Sequence, residues 1–492
     1  MFVRERFRVL KTTVGLVAAT VLAASPASAQ TTPAMSAEPI PEWAPSWVAE
    51  VGARTQPSDD RVCPVAQHGA VGDGVTPATT AIQAAIDACS EAGGGVVTFE
   101  PGSYRTGAIF VKSNVHLRVD EGVTLIGSQN DEDYPSIWTR VAGIEMNWPA
   151  ALINVNGQQN VKISGGGTID GDGQKWWDLY WDMRRNDYEP RGLRWAVDYD
   201  AERVRLMVIS ESSDVTIENL DLRRSGFWTV QVVYSEHVTV DGVTVRDNGG
   251  PSTDGVNIDS SRWVLVQNAD IDNNDDTICL KAGRDADGLR VNRPTEYVVI
   301  RHNTSRRGGG VLSFGSETSG GIRHIVAYDN RGIGTSEGIR FKSATTRGGF
   351  VEDVLIRDIT MEDVPLAFTF TLNWNPSYSY ATMPEGMDDI PEHWIVLNTP
   401  VEPVERGLAE YRDITIQNVT VTGARRIFSA SGLPEKYLSS MTWENITAEG
   451  EEAGFIEYAR DWTMENVTIR TPAGEAVRST NNENVELPVP VQ

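Results

Sequence analysis

The sequence is short of cysteine, of positive charge and of long apolar runs, and each shortage excludes something. Three cysteines, Cys63, Cys89 and Cys279, occur among 492 residues, so a disulfide-built scaffold is excluded and at most one bridge is expected. Cys63 with Cys89 is the plausible pair, and Cys279 is expected as a buried free thiol. Lysine and arginine number 43 against 68 aspartates and glutamates, a formal net charge of −25. Non-specific binding to nucleic acid is therefore excluded, and acidic polysaccharides are repelled at long range. An acidic substrate would require a local basic patch. Beyond the N-terminus no apolar stretch is long enough to span a bilayer.

What is present begins with the start of the chain. Arg4, Arg6, Arg8 and Lys11 precede an apolar run from Val14 to Ala24, which ends in the small-residue site Ala27-Ser28-Ala29. This pattern reads as a secretory signal peptide over residues 1–29, cleaved near Ala29, and implies export to a periplasmic or extracellular space. The run is too short for a membrane anchor.

A unit then repeats. "DVTIENLDLRRS" begins at Asp214, "HVTVDGVTVRDN" at His237, "WVLVQNADIDNN" at Trp263, "YVVIRHNTSRRG" at Tyr297, "HIVAYDNRGIG" at His324 and "DVLIRDITMEDV" at Asp353, in steps of 23, 26, 34, 27 and 29 residues. Further units start at Asp413, Ser440 and Trp462. Each holds short alternating strands rich in Val, Ile and Thr, divided by Asn, Asp and Gly. No unit can bury its apolar face alone, so the units must stack as coils. The expected fold is all-β, a single-stranded right-handed parallel β-helix. A propeller is disfavoured because its four-stranded blades need about 40 or more residues each. "TPATTAIQAAIDAC" places Ile82, Ile86 and Cys89 on one helical face, with Thr76 and Pro77 suited to the helix start. That helix would cap the open end of the stack. The expected layout is a signal peptide at 1–29, an extension at 30–60, the β-helix at 61–485 and a tail at 486–492.

Within the coils, "NNDDTICLK" puts Asp275 and Asp276 side by side before a short apolar strand. Their mutual repulsion gives folding no reason to favour the pair. Asp254, in "STDGVNIDSS", lies 21 residues earlier, about one coil, and stacked strands sit about 4.8 Å apart. In "TICLK", Ile278 and Leu280 take the inward parity, leaving Asp275, Thr277 and Lys281 outward. In "GIRFKS", Arg340 and Lys342 face outward on the same side. Unbroken parity would turn Asp254 and Asp276 inward, so a turn or bulge near Gly255 is expected to reorient them. Three carboxylates facing two cations form a stronger signal than an isolated acidic turn.

These residues resemble glycoside hydrolase family 28, the polygalacturonases and their relatives on the pectin-lyase-like β-helix. "HGAVGDGVTPATTAIQAAIDAC", "GGGVVTFEPGSYRTGAIFVKSNVHLRV", "GGGTIDGDGQKWW" and "SGFWTV" resemble family segments. Ser252-Thr253-Asp254 is similar to the family's "NTD", Asp275-Asp276 to its "DD", and Arg340-Phe341-Lys342 to its "RIK". The resemblance implies that Asp275 is the general acid, that Asp254 and Asp276 hold and activate water, and that Arg340 and Lys342 bind substrate at the scissile bond. It implies an inverting hydrolase of galacturonic-acid-containing pectic glycans, without metal or cofactor, working as a monomer. Glycosidic inversion itself needs a protonated carboxyl on one side and a carboxylate activating water on the other. Crowding three acids raises the proton affinity of one of them.

One departure stands out: "RGGGVLSFGSE" has Gly309 where the family usually has His. His302, His324 or Arg307 could replace that ring, although core or surface roles are expected for lone histidines. The open space leaves room for a substituted or rhamnose-containing pectin. A Ca²⁺-dependent β-helix lyase and an inactive glycan-binding relative are the other classes. Arg284, Arg306, Arg307, Arg340, Lys342 and Arg347 supply a candidate basic patch, with some expected to pair with neighbouring acids. "KWWDLYW" from Lys175 and "LNWNPSYSY" from Leu372 could stack on sugars or pack their own loops.

Overall fold

The computed structural model describes residues 39–386 and 389–491, and the expected signal peptide lies outside them. Alternating strands join 34-fold into one wound parallel sheet. Each strand pairs with the equivalent strand of the next coil, as in Val238, Val264, Val298, Ile325, Val354, Ile414, Met441 and Trp462. All eight side chains are buried, so this column is one wall of a continuous core. The fold is a parallel β-helix, as the repeats predict.

The repeats start where the backbone turns a corner. Asp214, His237, Trp263, Tyr297, His324, Asp353, Asp413 and Ser440 all adopt φ between +49° and +60°, and in the last repeat Asp461 does so, one residue before Trp462. Asp and His are among the residues that enter this region most readily. Trp263 and Tyr297 are bulky for it, and their rings stack into a ladder with His237 and His324 at 5.9, 4.2 and 4.6 Å. The N-terminal extension lies across this ladder, with Trp47 against Tyr297 and Trp43 against Tyr328.

Helix α1 (Thr79–Glu91) caps the stack, burying Ile82, Ala85, Ile86 and Cys89, and Cys63 is disulfide-bonded to Cys89. The helix starts later than the sequence suggests. Thr76 and Pro77 belong to the strand Asp73–Pro77, where Pro77 pairs with Arg105, and proline disfavours helical backbone in the residue before it. At the other end, the expected tail contributes Val489–Val491, which pairs with the strand Ala459–Arg470. A last rung covers an otherwise unpaired edge, and Pro490 is tolerated there because no further strand among the described residues pairs with it.

Three insertions gather on one side of the coils. The first is an antiparallel hairpin, β1 (Ser136–Val141) and β2 (Ile144–Pro149). The second spans 171–205 and includes α2 (Gln174–Asp182). The third spans 373–409. Their apolar residues form a second core with Trp148, Trp195, Phe227 and Trp394. "KWWDLYW" is packing: Trp176 and Trp177 are buried, and Trp177 Nε1 donates to the Ser225 carbonyl at 2.8 Å.

Candidate active site

Four stacked strands build the floor: β3 (Val256–Asp259), β4 (Ile278–Lys281), β5 (Leu312–Phe314) and β6 (Glu337–Lys342). Ile278, Leu280, Ile339 and Phe341 enter the core, so Lys281, Arg340 and Lys342 point the other way, as parity requires. The acids sit in the turns that precede β3 and β4. Val256 pairs with Ile278, so the coil-to-coil neighbour of Asp254 is Asp276 rather than Asp275. The reorienting turn precedes Gly255: Ser252 carries the left-handed conformation at φ +53°. Gly255 has a different duty. A Cβ there would lie 2.4 Å from the Thr277 carbonyl, so only glycine permits this approach of coils. Asn273 Nδ2 fixes the acidic turn by donating to the carbonyls of Thr253 and Asp276.

Asp254, Asp275 and Asp276 line one cavity of about 70 Å³, together with Lys281, Glu317 and Lys342. Asp254 and Asp276 are buried, whereas Asp275 is half-buried. Asp276 accepts from Lys342 Nζ at 2.7 Å, Arg340 Nη1 at 3.2 Å and Ser313 Oγ at 2.7 Å. Burial alone would raise its pKa, but Lys342 and Arg340 outweigh burial and hold the carboxyl far below the usual aspartate range. Asp275 moves the other way, through burial and the charge of Asp276. Asp254 is also raised, by burial and then by Asp275, with Lys281 opposing. One carboxylate is thus a fixed anion beside two coupled groups that share a high proton affinity.

Sequence reasoning placed Lys281 outward and singled out the Leu372 segment without assigning either to the site, and it missed Arg194 and Asp198. Lys281 Nζ lies 3.7 Å from Asp254 and 3.1 Å from Glu317; its outward parity beside the acids was the available signal. Trp374 of "LNWNPSYSY" lies under both cations, 4.6 Å from Lys342 Nζ and 5.4 Å from Arg340 Cζ, and Tyr378 lines the cavity too. Arg194 and Asp198 reach it from the second insertion, where no periodicity marks them.

The wider basic patch dissolves. Arg306 and Arg307 pair with Asp270 and Asp272, while the fully buried Arg284 and Arg347 share Asp285. Only Arg340 and Lys342 of the six meet the acids. Among the described residues, none of the three groups expected as replacements for the ring lacking at Gly309 pairs with the acids. His302 pairs with Asp329, His324 with Asp353 and Arg307 with Asp272. Cys279 is a buried free thiol.

Comparison with known proteins agrees with this geometry. The model for glycosyl hydrolases family 28 matches residues 105–375. A probable polygalacturonase from Vitis vinifera is 30% identical over 390 residues, covering 77% of this chain and 72% of that protein. An exo-poly-alpha-D-galacturonosidase from Dickeya chrysanthemi is 27% identical, covering 83% of this chain and 71% of that protein. The crystal structure of an exopolygalacturonase from Thermotoga maritima superposes with a TM-score of 0.68 at 26% identity, covering 82% of this chain and 90% of that one. The β-helix, its acid cluster and these matches make the chain a glycoside hydrolase that belongs to glycosyl hydrolases family 28.

Proposed function

We propose that this protein is an exported, inverting hydrolase of galacturonic-acid-containing pectin, similar in action to the polygalacturonases it resembles. The observation that carries the reading is the geometry of three carboxyls in one cavity, one of them, Asp276, held by Lys342, Arg340 and Ser313. Asp275, raised and half-buried, is the general acid that protonates the leaving oxygen. Asp254 and Asp276 hold the water and activate it on the opposite face. Asp276 stays ionised because Lys342 and Arg340 neutralise it. Lys281 opposes the rise at Asp254, and the acid role falls to Asp275 because it is the half-buried member of the pair and matches the family's acid. Lys342, which lines the cavity, contacts substrate at the scissile bond, and Arg340 braces Asp276 from behind.

Two facts favour hydrolysis over a Ca²⁺-dependent elimination. Both Asp276 oxygens are already occupied by cations and a hydroxyl. Among the described residues no group of three or more His, Cys, Asp or Glu has metal-holding geometry. An inactive binding relative would have no need of a protonated acid beside a fixed anion. A substituted or rhamnose-containing pectin is the second reading, favoured by Gly309. A Cβ there would stand 3.0 Å from Asp276 N and 3.2 Å from Asp275 Oδ1, so the backbone lies close against the acidic turn and this reading rests on the absent imidazole alone.

The test is reducing-sugar release from a panel of pectins with excess chelator present. Hydrolysis is expected to persist without an ultraviolet-absorbing unsaturated product, and the first-formed anomer is expected to be inverted. Chelator-sensitive release of an unsaturated uronide would overturn the reading.

A further inference from the structure

The charges around the cavity do not balance evenly, and the imbalance identifies where a substrate carboxylate belongs. On one side, Arg340 and Lys342 face two anions: Asp276 meets both, and Glu337 lies 3.0 Å from Arg340. At the centre, Lys281 faces Glu317 and Asp254. On the insertion side, two guanidiniums share one carboxylate. Arg194 Nη1 donates to Asp198 Oδ2 at 2.6 Å, and Arg203 Nη2 donates to Asp198 Oδ1 at 2.9 Å. Ser252 Oγ and Tyr180 Oη also donate to Asp198, at 3.0 and 3.4 Å. That leaves one positive charge in surplus at this pole.

Only Arg194 can present that charge to a ligand. Arg203 is fully buried and sandwiched by the rings of Tyr180 and Phe227 at 4.3 and 4.1 Å. Arg194 lines the cavity and keeps 16% of its side chain exposed. Its Nε and Nη2 groups make no hydrogen bond among the described residues. Its guanidinium lies 5.1 Å from the Tyr378 ring centroid, and the Asp198 contact fixes its other edge. A guanidinium anchored along one edge with the other edge open is arranged for two-point contact with a carboxylate.

We propose that Arg194 is the specificity residue that binds the uronate carboxylate of the substrate, while Arg340 and Lys342 serve mainly the reacting centre. This rests on the galacturonide-hydrolase reading above. It predicts that discrimination between a free uronate and its methyl ester resides in the second insertion rather than in the coils.

The experiment measures binding of galacturonic acid, its methyl ester and galactose to the purified protein by calorimetry. It also measures kcat/KM on digalacturonate and its methyl ester. The wild type is expected to bind the acid more tightly than the ester. Arg194→Gln should weaken acid binding about 10- to 100-fold, the loss of one charge-assisted contact, and change ester binding less than about twofold. In turnover the loss should fall on KM rather than kcat. Arg194→Lys keeps a cation on Asp198 but loses the fork. It is expected to lower the acid-to-ester preference at least threefold, and it carries the test if the glutamine variant does not fold. A wild type without acid preference, equal weakening of acid and ester in Arg194→Gln, or an unchanged preference in folded Arg194→Lys would each overturn the proposal. A wild type that hydrolyses neither digalacturonide yet loses its acid preference in Arg194→Gln would leave the carboxylate site standing and refute the reaction instead.

Discussion

The coils between Val256 and Lys342 and the coils between Ile414 and Arg470 share an inner wall and differ outside it. Inward columns are apolar in both, from Val264 and Val298 to Ile414 and Met441. One outward column reads Asn257, Cys279, Ser313 and Arg340 over the first stretch, then Thr369 and Ser429. The strands of the first stretch that build the site floor hold three to six residues, and turns bearing Asp254, Asp275 and Asp276 interrupt them. In the second stretch they run for 18, 20 and 12 residues. Stacking needs only the inner wall. Chemistry appears where strands shorten and turns and insertions bring acids and cations over the floor, so the two should separate on mutation.

The sharpest test of that separation is a pair of substitutions. Asp275→Asn removes the proposed proton donor and relieves repulsion, so turnover should fall about 10²- to 10⁴-fold with the melting temperature unchanged or raised. Ser429→Ala, on the same outward column as Arg340, should leave kcat/KM at wild-type level. Steady-state kinetics and thermal melts on both proteins check this. Retained turnover in Asp275→Asn would remove it from the reaction.

Much of this division was visible in the sequence, for a physical reason. Period-two alternation and corner residues are local, so the repeat starts from Asp214 to Ser440 fell on the left-handed corners themselves, and the last, Trp462, fell one residue after its corner. Parity likewise placed Lys281, Arg340 and Lys342 outside. Register between coils is not local. A one-residue choice made Asp276, not Asp275, the neighbour of Asp254, and it is set by the close approach at Gly255. Insertions are less legible still. Arg194 and Asp198 owe their place to the second core of Trp148, Trp195 and Trp394, whose contacts cross long sequence separations.

The converse test acts on the core of the second stretch. Trp443 is fully buried among Phe368, Phe370, Phe428 and Trp462. Trp443→Ala should destabilise the protein by about 3–5 kcal/mol, read from denaturant unfolding. At a temperature where the variant is folded, its KM and pH profile should match the wild type. A changed pH profile would show that the two stretches are coupled.

A smaller effect should move the pH dependence alone. Lys281 opposes the raised pKa of Asp254, and the proposed role of Asp254 in activating water requires it ionised. Lys281→Met removes that opposition, so the Asp254 pKa rises further and the acid limb of kcat/KM moves to higher pH. Linkage gives a matching sign for Asp276. Its depressed pKa contributes stability that is present above the ordinary aspartate value and is lost as pH falls through the folded value. Lys281 also lowers the pKa of Asp276, so acid sensitivity should lessen in Lys281→Met. An acid limb that stays in place would remove Lys281 from the proton balance.

The smallest expected effect tests the backbone at Gly309 that lies against the acidic turn. Gly309 donates its N–H to the Asp275 carbonyl at 2.6 Å, and its own carbonyl accepts from Arg340 Nη1 at 3.2 Å. A Cβ at this position would meet Asp276 N at 3.0 Å and Asp275 Oδ1 at 3.2 Å. Both contacts are tight, and the nearer one is backbone that cannot swing aside, so Gly309→Ala must shift the acidic turn slightly. Overpacking of this kind costs about 1–3 kcal/mol. The shift falls where Asp275 must reach the leaving oxygen, so kcat should drop several-fold while binding of galacturonic acid is unchanged. If the flank of Asp275 accommodates a branch or a second sugar type, the loss should be greater on substituted pectin than on plain polygalacturonan. Equal losses on the two would show that Gly309 serves the turn alone and leaves substrate choice to the insertions.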